Sequence, residues 1–242
     1  MSERDYQLFE GLRLPLRRSN RNLQDDAGYL ASIAEQISHI RPYLGEQTDI
    51  LDFGCGQGRF LNGLLHTKTP FKSYLGADIS PNSVAWCCRN LSYDHHQIGF
   101  LWYNYANARY NAQGARKHFL PLADAGVDLI FASSVFTHLD QADTARIARA
   151  LYQKLRPGGV LYRTAFLEQG VEPVMVNPDG YLGSKGAGDT PLHWVRYEKT
   201  AFQDCFQQIG FQRISDEDDS ANLIARSGQR WMILQKPPVA GA

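Results

Sequence analysis

The segment Asp49-Ile-Leu-Asp52-Phe-Gly54-Cys55-Gly56-Gln-Gly58-Arg-Phe constrains this chain more than any other, because a short apolar run passes straight into three closely spaced glycines and then into a helical pattern. Glycine takes positive φ without steric cost and lets backbone come close to a ligand. The N–H groups that open a helix then face whatever is bound there. A strand emptying into such a turn predicts an open α/β sheet with its ligand at the carboxyl ends of the strands. A nicotinamide fingerprint would read G-x-G-x-x-G. Here the third glycine arrives one residue early and Arg59 holds its place, which disfavours a nicotinamide oxidoreductase.

The rest of the chain keeps the same rhythm. Apolar residues at helical spacing, Tyr29, Leu30, Ile33, Ile37 and Ile40, predict a helix over 27–41 that stops near Pro42. Strands are predicted at 48–53, 73–78, 98–104, 127–133 and 160–166, with helices at about 58–66, 81–91 and 141–155 between them. Pro157-Gly158-Gly159 is expected to end the last helix and turn the chain into the next strand. Strands alternating with helices imply crossover connections, and so a doubly wound, mostly parallel, seven-stranded Rossmann-like sheet with helices on both faces. After Phe166 the alternation breaks. Residues 168–193 are rich in Gly, Pro and Asp, and a long irregular stretch in a compact domain predicts a functional cap. A helix at 197–209 and strands at 211–215 and 230–235 close the pattern.

With 242 residues, 43% of them hydrophobic, one sizeable core is affordable and a single domain over 1–242 is expected. Within it we expect an N-terminal helical segment (1–45), a cofactor-binding core (46–166), a cap (167–196) and a C-terminal helix with closing strands (197–242). Twenty-five basic side chains balance 25 acidic ones, so no net charge draws the chain toward nucleic acid or an anionic membrane. No apolar run suits a signal peptide or a membrane span, so a cytoplasmic location is expected. Cys55, Cys87, Cys88 and Cys205 lack metal-ligand spacing; they are expected to be reduced, partly buried thiols, with no metal.

Leu51-Asp52 together with G-x-G-x-G closely resembles the first motif of class I S-adenosylmethionine-dependent methyltransferases, and later segments follow that family in order. The resemblance implies that Asp52, Gly54, Cys55, Gly56 and Gly58 surround the methionine part of S-adenosylmethionine. Asp78, ending the second strand, would accept from the ribose hydroxyls, and Ile79 would lie on the adenine. Asp78 ahead of Ser80-Pro81 also suits a helix start, and the two roles are compatible. Asn104 stands where many relatives carry an acid for the adenine amino group. It departs from the family, although an amide oxygen can still accept; Tyr105 is grouped with it. Asn107-x-x-Tyr110-Asn111-x-x-Gly114 is similar to an insertion in a subset of the family, its role open. Leu120-Pro121, the stretch Val127 to Leu139 and Leu155-Arg-Pro-Gly-Gly159 complete the match, placing Ser133 and Ser134 at the cofactor edge.

For a hydroxyl acceptor a nearby histidine is the natural base. His138 follows the fourth strand and leads, with His193 second; each has a plainer role as a helix-start or surface histidine. Tyr181 and Trp194 are candidates for an apolar acceptor wall. Arg18, with Arg17, falls where relatives have a basic pair able to meet the cofactor carboxylate or an anionic acceptor, though a solvated surface pair is the commoner role. Ser133-Ser134-Val135-Phe136 is not the Asn/Asp-Pro-Pro-aromatic motif of base amino-methylating enzymes, and there is no Pro-Cys pair of the cytosine type. The resemblance therefore implies a small-molecule acceptor, most readily a sugar or secondary-metabolite hydroxyl, with no nucleic-acid or membrane partner; it allows a homodimer. Two alternatives stand beside it: methylation of a small amine, and a non-catalytic S-adenosylmethionine-binding regulatory protein.

Overall fold

The computed structural model describes residues 5–16, 25–91, 93, 97–115, 120–178, 191–216 and 228–239. They belong to two compact units, 1–102 and 103–242. The architecture is Rossmann-like α/β.

The first unit opens with an antiparallel hairpin, β1 (Tyr6–Phe9) and β2 (Leu12–Pro15), where sequence patterning led us to expect only helix. Glu10 and Gly11 both take positive φ, +49° and +79°, which is the backbone of the two-residue hairpin turn that matches strand twist. Asp5 ties the hairpin down, its carbonyl accepting from the Trp86 indole at 3.0 Å and its carboxylate from Asn90 at 3.1 Å. Helix α1 (Asp26–Ile40) follows, N-capped by Asp25. Then β3 (Asp49–Phe53), α2 (Arg59–His66), β4 (Ser73–Asp78), α3 (Pro81–Asn90) and β5 (Gln97–Trp102) form a parallel array with β4 between β3 and β5. Every residue of β3 is buried, as expected of a strand covered on both faces. Helices α1 and α2 meet at Gly63, where a Cβ would sit 2.7–2.9 Å from Ile33 and Ile37.

The second unit contains β6 (Val127–Ala132), α4 (Gln141–Lys154), β7 (Leu155–Glu168), β8 (Val174–Val176), β9 (Val195–Glu198), α5 (Lys199–Ile209), β10 (Gln212–Asp216) and β11 (Arg230–Gln235). Its strand order is β10-β11-β7-β6, with β6 and β7 parallel and β11 antiparallel to both its neighbours. Three main strands in the first unit and four here account for the seven anticipated. Pro157-Gly158-Gly159 is not a break before β7 but lies within it. Gly158 N donates to Lys236 O at 2.8 Å and Lys236 N to Gly159 O at 2.9 Å, so pairing carries on past the proline. Arg163 is fully buried in β7, its guanidinium stacked 4.3 Å from the Phe202 ring centroid.

The stretch 168–193 is less irregular than its composition suggests. Glu168 still belongs to β7, β8 lies inside the stretch, and β9 follows directly after it, pairing with β8 and with Phe166–Glu168 of β7. Asn177 closes the base of the excursion: its N donates to Trp194 O at 2.7 Å and its Oδ1 accepts from Trp194 N at 3.0 Å. Tyr181 and the glycines between 183 and 188 lie outside the described residues, as do Arg17 and Arg18. Among the described residues, no helix is long and apolar enough to cross a membrane.

Candidate active site

The first unit holds a loop wired to one carboxylate. Beyond β3, Gly54, Gly56 and Gly58 take φ of +82°, +53° and +76°. The N–H groups of Gly54 and Cys55 donate to Ala77 O at 2.7 and 3.1 Å, which folds the turn against the end of β4. Asp78 then clamps it: Oδ2 accepts from Gly56 N at 2.8 Å and Oδ1 from Ser80 N at 2.7 Å. Burial raises the Asp78 pKa, and these backbone donors pull it back. Both its proposed roles are thus compatible with one geometry, since each carboxylate oxygen keeps acceptor capacity.

Two of the glycines serve different ends. A Cβ on Gly58 would lie 2.2 Å from Leu91 Cδ1, whereas a Cβ on Gly56 would meet nothing within 4 Å. Space is therefore open beside Gly56 and closed at Gly58. Asp52 sits within β3, buried, and accepts from the Tyr74 hydroxyl. Burial pushes its pKa up to about 7, opposed by that hydrogen bond and reinforced by the charge of Asp78. Cys55 and Cys87 are buried with both thiols turned to Gly56 O, at 3.7 and 3.3 Å. Cys88 is exposed, contrary to the partly buried setting expected of it. Ile79 is half-buried, its carbonyl accepting from Trp102 Nε1 at 3.2 Å.

The second unit, by itself, holds a tightly braced turn. Asn104 was expected to offer its amide oxygen to a base; that oxygen already accepts from Asn111 Nδ2 at 3.1 Å. Tyr105 is buried, its hydroxyl donating to Asp143 at 2.7 Å and accepting from Arg146 at 2.6 Å, so it ties this segment to α4. The Asn107–Gly114 insertion acquires a role. Asn107 Oδ1 accepts from the N–H groups of Arg109 and Tyr110, at 3.0 and 3.1 Å, and its Nδ2 donates to His138 O at 2.9 Å. Gly114 is required, because a Cβ there would approach Asn111 Nδ2 and the Tyr105 carbonyl to 2.6 Å.

His138 ends a short 3₁₀ turn, Phe136–His138, beyond β6. Its Nδ1 lies 3.0 Å from Leu192 O; a carbonyl can only accept, so Nδ1 carries the proton and Nε2 the lone pair. Burial lowers its pKa to about 4; the Leu192 bond opposes this, and the charge of Arg109 adds to it. The histidine is therefore neutral near pH 7, an acceptor at Nε2 and a weaker base than the sequence suggested. The Tyr110 ring meets it edge-on, centroids 5.3 Å apart. His193 is half-buried, its pKa also lowered by burial and by Arg109. Trp194 stacks face to face on Phe166 at 3.7 Å, so at least one of its faces is occupied by packing.

Ser134 takes φ of +60°, an uncommon conformation for a side-chain-bearing residue. It is held by Thr164 Oγ1, which accepts from its N at 2.7 Å, and by Gln229 at its hydroxyl. Ser133 is half-buried beside it. Arg109, Thr164 and Gln229 escaped the sequence reading. Only the Asn107 motif flagged the first, and nothing local to their sequence flags the other two.

Residues 51–161 match the family model described as a methyltransferase domain. An arsenite methyltransferase from Aquipseudomonas alcaligenes is 28% identical over 123 residues, 51% of this chain; the chain spans only about a third, 34%, of that protein. An S-adenosylmethionine-dependent methyltransferase from Methanosarcina mazei superposes with a TM-score of 0.59 at 20% identity, covering 83% of this chain and 97% of that one. The 1,6-didemethyltoxoflavin-N1-methyltransferase of Burkholderia thailandensis, solved with that substrate and S-adenosylhomocysteine, superposes with a TM-score of 0.58 at 14% identity, covering 91% and 83%.

Proposed function

We propose that this chain is a class I S-adenosylmethionine-dependent methyltransferase that methylates a hydroxyl of a small molecule such as a sugar or secondary metabolite. The observation that carries the cofactor half is the coupling of Asp78 to Gly56, with open space where a Gly56 side chain would be. A loop that leaves a side chain's volume empty, beside a half-buried carboxylate with lone pairs to spare, fits a ribose and the chain attached to it. Gly54, Cys55, Gly56 and Gly58 would line the methionine part, with Asp52 behind them. Asp78 would take the ribose hydroxyls and Ile79 the adenine.

When bound, S-adenosylmethionine supplies a methyl group on a cationic sulfur, which an acceptor lone pair displaces in line. The protein's work is alignment and exclusion of water. His138 is suited to receive the acceptor's proton at Nε2, because Leu192 O fixes the tautomer and Asn107 fixes the turn. A base this weak takes the proton late, as the acceptor oxygen gains positive character during attack. The same property suits an amine, the second reading, whose proton becomes acidic only once methylated; the Burkholderia neighbour, named as an N1-methyltransferase, favours keeping it. The test is release of S-adenosylhomocysteine against panels of sugars, nucleotide sugars, phenolics and amines. Turnover with a hydroxyl compound supports the first reading and with amines alone the second. A protein that binds the cofactor yet turns over nothing in any panel would behave as the regulatory alternative.

A further inference from the structure

Arg109 is oddly placed for an arginine. Asn107 and the turn it makes hold its backbone, its guanidinium carbon lies 5.1 Å from the Tyr110 ring centroid, and that ring meets His138. Two of its nitrogens, Nε and Nη1, are buried without a hydrogen-bond partner among the described residues. None of the ion pairs formed by those residues involves it. A guanidinium donor taken out of water and left unpaired is costly. Its charge nevertheless reaches the imidazoles of both His138 and His193. Three nitrogen-bearing side chains thus gather where the Asn107 turn meets the 3₁₀ turn that ends in His138, and that 3₁₀ turn follows β6, whose carboxyl end is the ligand edge of such a sheet.

We propose that Arg109, His138 and His193 form an oxyanion subsite, and that the methyl acceptor carries a carboxylate or phosphate seated there. The guanidinium fork matches either group in two-pronged fashion. An anion so placed offsets the positive charge that acts on His138, so an acceptor with that group improves its own proton acceptor. That the ligand is the acceptor rests on the methyltransferase reading; that the subsite binds an anion does not.

The test uses the whole chain with labelled histidines, titrated with inorganic phosphate and separately with acetate, sodium chloride controlling ionic strength. Imidazole NMR signals of His138 and His193 should move saturably with at least one of the two anions and not with chloride. Preference for phosphate identifies a phosphorylated acceptor, and preference for acetate a carboxylated one. Arg109→Gln should weaken anion binding about ten-fold or more, and Arg109→Lys, which keeps the charge but loses the fork, by less; affinity for S-adenosylhomocysteine should stay within about twofold. No saturable shift with either anion, or equal affinity in a folded Arg109→Gln protein, overturns the subsite. Failure of the wild type to bind S-adenosylhomocysteine would instead overturn the cofactor reading, with the anion titration still informative.

Discussion

Gly56 and Gly58 stand two residues apart in one loop, both at positive φ, yet a methyl group added to each meets different surroundings. At Gly58 the new carbon would fall 2.2 Å from Leu91 Cδ1, and Leu91 is itself 1% exposed, so it has little room to retreat. Left-handed strain of about 1–2 kcal/mol and overpacking of about 1–3 kcal/mol together put Gly58→Ala at about 2–5 kcal/mol less stable. At Gly56 only the strain applies, because nothing lies within 4 Å. If the cofactor occupies that space, the cost reappears on binding: about 1–3 kcal/mol of crowding, or a five- to hundred-fold loss of affinity. Urea midpoints give the stability and calorimetry with S-adenosylhomocysteine the affinity. The reasoning fails if Gly56→Ala binds the ligand within twofold of wild type, or if the two variants are equally stable.

Asp78→Ala removes two charge-assisted acceptors and should weaken S-adenosylhomocysteine binding about ten- to a hundred-fold, read by the same calorimetry; a change below about threefold refutes the clamp. Asp52, pushed up to about 7, stabilises the folded state most fully below its ordinary 3.8, and that contribution is lost as pH rises toward 7. Asp52→Asn should therefore gain stability relative to wild type between pH 4.5 and 7.5, on the order of 4 kcal/mol at most, and parallel urea-midpoint profiles would contradict this. His138, lowered to about 4, works in the opposite sense, its contribution present above 6.5 and lost as pH falls through 4. His138→Ala should lower turnover by roughly 10²-fold while leaving cofactor affinity unchanged, which steady-state kinetics alongside calorimetry will separate.

The backbone plan was legible because periodicity reports burial directly: the strand at 73–78 and the strand at 230–235 coincide with β4 and β11. The β1–β2 hairpin was missed because Glu10-Gly11 is a weak turn signal in a chain otherwise read for helices. Pro157-Gly158-Gly159 misled for a related reason: proline lacks an N–H, yet its two glycines complete the pairing with Lys236. Sequence showed that the glycines and Asp78 fall at the ends of β3 and β4 but not the directions of side chains. Asn104 and Tyr105 stand in the expected stretch, where the Asn104 oxygen also accepts from Asn111 and the Tyr105 hydroxyl is held by Asp143 and Arg146. Nor does local sequence show that Leu192, 54 residues away, selects the His138 tautomer.

A crystal structure of the chain with S-adenosylhomocysteine tests the account most directly. It should show both ribose hydroxyls within hydrogen-bond distance of the Asp78 carboxylate and the ligand chain lying against the backbone of Gly54 to Gly58, filling the space beside Gly56. Ligand bound elsewhere, or a ribose that leaves Asp78 engaged only with Gly56 and Ser80, would contradict it.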